Sequence, residues 1–183
     1  MIRIGLIDLK DKDRWTELGL SSARGWQQGC LLQWVPGSKT KVLWNERTAK
    51  GFVCRIDDIK TQATRTVPQA IHTLAPDGKS GLAVDFHCLH DVRPGDGYAG
   101  LADPHKDELT PNESGVWHVD LANRRPKLLV SIANAAKSGE VPGDARGGST
   151  GSTTCFTTRT GRASSSCTAG GPSASRTPSA RAC

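Results

Sequence analysis

Residues 70–90 read "AIHTLAPDGKSGLAVDFHCLH". A short apolar run meets Ala-Pro-Asp-Gly, and a second apolar run follows. Each turn residue has its own physical job. Pro presets φ, Asp accepts hydrogen bonds from the turn amides, and Gly takes positive φ at little cost. Runs this short, bounded by Pro, Gly and Asp, predict antiparallel strands rather than helices. Residues 29–46, "GCLLQWVPGSKTKVLWNE", repeat the unit around Pro36-Gly37. Both turns are therefore expected to be tight, and no helix is expected across residues 28–60.

A second unit recurs beside the first. An apolar-Asp-apolar step, a polar gap and another strand appear in "LIDLKDKDRWTEL" at Asp8, "IDDIKTQATRTV" at Asp58 and "HVDLANRRPKLLV" at Asp120. The Asp residues lie 50 and 62 positions apart. A period of about 40–50 residues with four short strands per unit is the signature of propeller blades. The longer second interval holds one insertion, "CLHDVRPGDGYAGLADPHKDELTPNESG" at residues 88–115, whose Pro, Gly and acids read as a loop inside one blade. The expectation is an all-β chain: a partial β-propeller of about two four-stranded blades in residues 1–144. Because the first unit starts at residue 3, the chain is expected to open in mid-blade. The competing arrangement is two unrelated hairpins in a sandwich.

Residues 145–183 have a different composition. They hold five Arg (Arg146, Arg159, Arg162, Arg176, Arg181), no Lys and no acid, so the net charge of +6 leaves +1 for residues 1–144. A basic nucleic-acid face is not indicated in the body, and no nucleic-acid motif occurs. The one large apolar side chain of this stretch is Phe156. Burying it gains about 1.5–3 kcal/mol, whereas ordering the backbone costs about 1–2 kcal/mol per residue. A disordered low-complexity tail is expected. Read one base back, the codons of residues 151–171 permit a run–Asn-Pro-Asp-Gly–run unit in register with the preceding repeats, so an out-of-frame origin is expected for this stretch.

The cysteines are widely spaced, and no CxxC pair signals zinc or redox chemistry. Cys30, Cys54 and Cys88 are expected as buried small apolar side chains. The opening "MIRIGLIDLKDKD" is too interrupted by charge for a signal peptide, and no stretch reaches membrane-spanning length. Neither a nucleic acid nor a membrane is expected as a partner.

The "APDG" turn, the apolar-Asp strands and the permitted Asn-Pro-Asp-Gly unit resemble TolB-type β-propellers, and more distantly the oligogalacturonate lyase propeller. "GWQQGCLLQWVPGS", "TLAPDGKSGLAVDF" and "LHDVRPGDGYAG" resemble segments of uncharacterised bacterial propeller proteins. Asp96 and Ala75 depart from that pattern, standing where Tyr and Ser are usual. The resemblance covers residues 1 to about 135. It implies a bacterial protein, periplasmic or extracellular if a longer parent carries a signal peptide and cytoplasmic otherwise. The lyases bind a metal through His and Gln, and no matching His-x-His pair is visible in residues 1–144, so a cofactor such as Mn or Ca is implied only if the lyase relationship holds.

The candidate binding residues are Trp26, Gln27, Gln28, His87, His90, Arg93 and Tyr98; no catalytic or metal-ligating residue is assigned. Trp26, Gln27 and Gln28 read as the start of a strand, where indole and amide groups suit sugar stacking and paired hydrogen bonds; the alternative is that Trp26 packs between blades and the glutamines are solvated. His87, His90 and Arg93 sit together after a strand, as a metal or carboxylate site or as a polar loop. Asp57 and Asp58 read as turn caps, and His72, His105 and His118 have no evident partner. Two function classes follow. One is a non-catalytic propeller scaffold that binds a glycan or protein. The other is a carbohydrate-active, oligogalacturonate-lyase-like propeller with metal ligands on further blades.

Overall fold

The computed structural model describes residues 1–137 and two strand segments near the C-terminus. The body is mostly β. Strands β1 (Ile2–Asp8) and β2 (Arg14–Ser21) form an antiparallel pair. Strands β3 (Gln33–Trp34), β4 (Lys41–Arg47), β5 (Phe52–Asp58) and β6 (Thr64–Val67) form a four-stranded sheet in chain order. Strands β7 (Thr73–Leu74), β8 (Ser80–Val84), β9 (Gly115–Asp120) and β10 (Arg125–Ser131) form a second one, again in chain order. All pairings are antiparallel. The expected number of four-stranded units is present, and no closed ring of sheets forms among the described residues. In the stretch expected to be disordered, β11 (Thr154–Thr157) pairs with β12 (Ala163–Ser166); the rest of that expectation, like the out-of-frame origin, lies outside the described residues.

The three Asp repeats are structurally equivalent. Each Asp ends a strand, and its Oδ1 accepts hydrogen bonds from the turn that follows. Lys10 N donates to Asp8 at 2.9 Å, Lys60 N to Asp58 at 3.0 Å, and Ala122 N to Asp120 at 2.8 Å. Four residues after each Asp, the backbone takes positive φ, at Lys12 (49°), Gln62 (58°) and Arg124 (56°). Turn capping by Asp58 is thus as expected. Asp57 pairs with Arg55 at 3.0 Å instead.

Both Pro turns are tight. Ser38 N donates to Val35 O at 3.0 Å, and Gly78 N to Ala75 O at 2.9 Å. Gly78 needs its missing Cβ twice over. Its φ is +67°, and a Cβ there would fall 2.3 Å from the Pro36 carbonyl oxygen of the neighbouring sheet's turn. No helix occurs in residues 28–60.

The middle sheet is buried on both faces. Val42 and Trp44 of β4 join Ile4 and Cys30 in a cluster against β1–β2. Leu43, Cys54, Ile56 and Val67 join Leu74, Ala83 and Val119 in a cluster shared with the third sheet. Alternate side chains of one strand serve the two faces, so three sheets stack in sequence with apolar layers between them. Cys54 is fully buried, and burial raises its thiol pKa.

Two elements depart from expectation. Residues 86–92, expected as strand and loop, form helix α1 (Phe86–Val92), capped by Asp85, whose Oδ1 accepts from His87 N at 3.1 Å. A helix N-cap satisfies amides that have no partner within the helix. A second short helix, α2 (Ile132–Lys137), follows β10. No described helix is long and apolar enough to cross a membrane.

Strand alternation divides the connections between two ends of the stack. The tight turns at 9–13, 35–40, 59–63, 75–79 and 121–124 share one end. The connections 22–32, 48–51, 68–72 and 85–114 share the other.

Candidate functional site

The long connections meet. Residues 25–29 make a small loop closed by two backbone hydrogen bonds: Gly25 N donates to Gly29 O at 2.9 Å, and Gly29 N to Gly25 O at 3.1 Å. The tip is held from the side, because Gln27 N donates to Gly95 O at 3.1 Å. Trp26, Gln27 and Gln28 therefore form the tip of a loop and do not begin a strand, which starts only at Gln33. The short Gly25–Gly29 bridge turns the chain before β-pairing begins. Trp26 does not pack between sheets: it is 88% exposed. An indole left in water on a fixed loop is an unusual use of a large apolar side chain.

Beside Trp26 lies an open cavity of about 340 Å³, lined by Arg24, Trp26, Arg47 and His90 together with backbone of Gly25, Gly95 and Gly97. Arg24 is exposed and has no ion-pair partner among the described residues. Arg47, at the end of β4, donates from Nη1 to Ala99 O at 2.8 Å. The Gly100 backbone passes so close that a Cβ there would collide with the guanidinium. That contact fixes the head group but pairs it with no acid.

The remaining candidates separate. His87 and His90 lie on α1 rather than in a loop. His87 turns to Asp85, with Nδ1 3.0 Å from Oδ1, and its ring packs on Phe52 at 4.6 Å. Asp85 also accepts from Ser114 Oγ at 2.9 Å. Burial pushes the Asp85 carboxyl up, but the bonds from His87, Ser114 and the Cys88 amide outweigh it and hold the pKa below the usual range. His90 instead lines the cavity, and its Nδ1 is buried without a hydrogen-bond partner among the described residues. Arg93 is tied to Asp96 at 2.7 Å. His-x-x-His thus points two ways, and no group of three His, Cys, Asp or Glu side chains suited to a metal occurs among the described residues.

Tyr98 is fully buried. Its ring stacks on Phe86 at 4.2 Å, and its hydroxyl accepts from Asn45 Nδ2 at 2.9 Å. It packs in the core beneath the 85–114 connection and does not line the cavity. Among the other histidines, His72 stacks on Phe86 at 6.4 Å and burial lowers its pKa. The Glu108 carboxylate, 3.0 Å from His105, raises the pKa of His105.

Arg24 and Arg47 were not among the sequence candidates. Arg24 stands two residues before Trp26, and that adjacency was the available signal. Arg47 joins the site only through its packing on residues 99–100, about fifty positions away in the chain.

The arrangement can offer an aromatic face, two guanidinium groups and an imidazole to a ligand at one end of the stacked sheets. Compared with known proteins, the chain matches no family model, no curated protein and no solved structure.

Proposed function

We propose that this chain contributes blades to a TolB-like β-propeller that acts as a non-catalytic scaffold binding a glycan at the end where the long connections meet. The observation that carries this reading is Trp26, exposed on a loop tip fixed by Gly29 and Gly95. A fixed, solvent-facing indole offers a flat apolar face at little ordering cost, and a sugar ring presents matching C–H surface to it. Sheets ordered sequentially, joined by equivalent Asp-capped hairpins, support the blade assignment. Ligand sites concentrate on loops held by a rigid scaffold, and the 22–32 and 85–114 connections are such loops.

The test is calorimetric titration of the full chain with a panel of oligosaccharides. Saturable binding is expected, with quenching or enhancement of tryptophan emission. Trp26→Ala should weaken it at least about tenfold, since aromatic anchors dominate binding energy, and should leave the circular dichroism unchanged. Equal binding by the variant would sink the assignment of Trp26. Binding to a protein but to no oligosaccharide would replace the glycan with a protein ligand.

A further inference from the structure

We infer that the cavity beside Trp26 is a subsite for an oxyanion carried by the ligand, a carboxylate or a sulfate ester, gripped by Arg24 and Arg47. The inference rests on the Trp26 reading for the rest of the ligand, but it stands on separate observations. Arg24 and Arg47 both line one cavity of about 340 Å³, and the Arg47 guanidinium reaches its wall at Ala99. Neither is ion-paired among the described residues, a state they share with Arg65, Arg124 and Arg125, whereas Arg3, Arg14, Arg55 and Arg93 each have a carboxylate partner. No carboxylate side chain lines the cavity. Asp96, beside Gly95 and Gly97 in the chain, is already held by Arg93.

Like charges facing one cavity repel unless an anion enters, and the concave shape reduces solvent screening between them. Arg47 is also pre-organised. One of its nitrogens is held by Ala99 O and the group is confined by Gly100, which leaves the remaining donors of its planar fork for a ligand. Planar guanidinium donors match the paired oxygens of a carboxylate or sulfate better than an ammonium would. His90 adds an imidazole to the same wall. Trp26 and the two Arg then recognise different parts of one ligand, ring face and charged substituent.

The test titrates the full chain with four probes: inorganic sulfate, a neutral oligosaccharide, and the same oligosaccharide bearing uronate groups or sulfate-ester groups. The inference expects the charged sugar to bind at least about tenfold more tightly than the neutral one, with affinity falling as salt rises, and with sulfate competing. Comparison of the uronate and sulfated sugars identifies the source of the oxyanion. Arg24→Ala, at an exposed position, should abolish that preference with the fold intact; Arg47→Lys should reduce it by keeping charge without the fork. Equal affinity for neutral and charged sugars, unaffected by Arg24→Ala, would overturn the oxyanion subsite while leaving the Trp26 reading in place. Sulfate binding lost in Arg24→Ala, with no sugar bound at all, would uphold the subsite and overturn the glycan reading. Absence of binding by all four probes would overturn both.

Discussion

Asn45 ties β4 to the 68–72 and 85–114 connections. It is fully buried on β4, and its amide is saturated: Nδ2 donates to Ile71 O at 2.8 Å and to the Tyr98 hydroxyl at 2.9 Å, while Oδ1 accepts from Ile71 N at 2.8 Å. Removing it leaves a backbone amide and carbonyl buried without partners, each costing about 1–3 kcal/mol. Asn45→Ala is expected to destabilise the fold by about 3 kcal/mol in chemical denaturation. Tyr98, the one tyrosine of the sequence, reports on the same place. Burial raises its phenol pKa, an effect that the Asn45 hydrogen bond only partly counters. The unfolded chain releases that proton near about pH 10. The contribution to stability is therefore complete below about pH 10 and is lost as pH rises through the folded-state value. Tyrosinate absorption should appear together with alkaline unfolding, and at lower pH in Asn45→Ala. A phenolate titrating near pH 10 in a still-folded chain would contradict this placement. Nothing local in "RPGDGYAG" distinguishes a buried tyrosine from an exposed one. The deciding partner lies 53 residues away, so sequence reading placed Tyr98 among ligand contacts.

At the scale of elements, the hairpins were legible because their chemistry is local. Asp58 and Asp120 each sit one turn from the amides they cap, and the Pro turns declare themselves in four residues. The strained position four residues after each Asp was not read, since Lys, Gln and Arg carry no sign of left-handed backbone. An L side chain there costs roughly 1 kcal/mol relative to glycine, partly offset by glycine's freedom when unfolded. Gln62→Gly and Arg124→Gly should therefore raise stability, by up to about 1 kcal/mol each, whereas Asp58→Ala should lower it by about 1 kcal/mol. A thermal melt in which Gln62→Gly is clearly less stable than the parent would sink this account. Helix α1 was missed because seven residues are too few to show a helical period. Asp85 before "FHCLH" was the one available sign, an N-cap. That omission misplaced His87 and His90, which a loop would have let converge but a helix holds against different surroundings.

At the scale of the whole molecule, the apolar layers run through residues 1–133, and among the described residues the clusters there use no side chain beyond residue 133, although β11 passes close to β7 and β8. A chain ending at Asp144 should keep the far-ultraviolet spectrum and thermal transition of residues 1–137, and its net charge should fall from +6 to +1. Loss of the transition would show that residues 145–183 support the stack, against the composition argument. The repeat pattern conveyed the number of four-stranded sheets, but not how the sheets stack, which depends on pairings such as Asn45 with Ile71. The division of connections between two ends also bears on handling the molecule. Lys10, Lys12, Lys39, Lys60 and Lys79 all fall in the tight turns, whereas the connections around Trp26 contain only Lys50 and Lys106. Coupling to a sensor chip or bead through lysine side chains, rather than through the Met1 amine beside the cavity, will therefore anchor most copies by the turn end. The indole and the paired arginines then face the flowing solution, an orientation that needs no engineered tag.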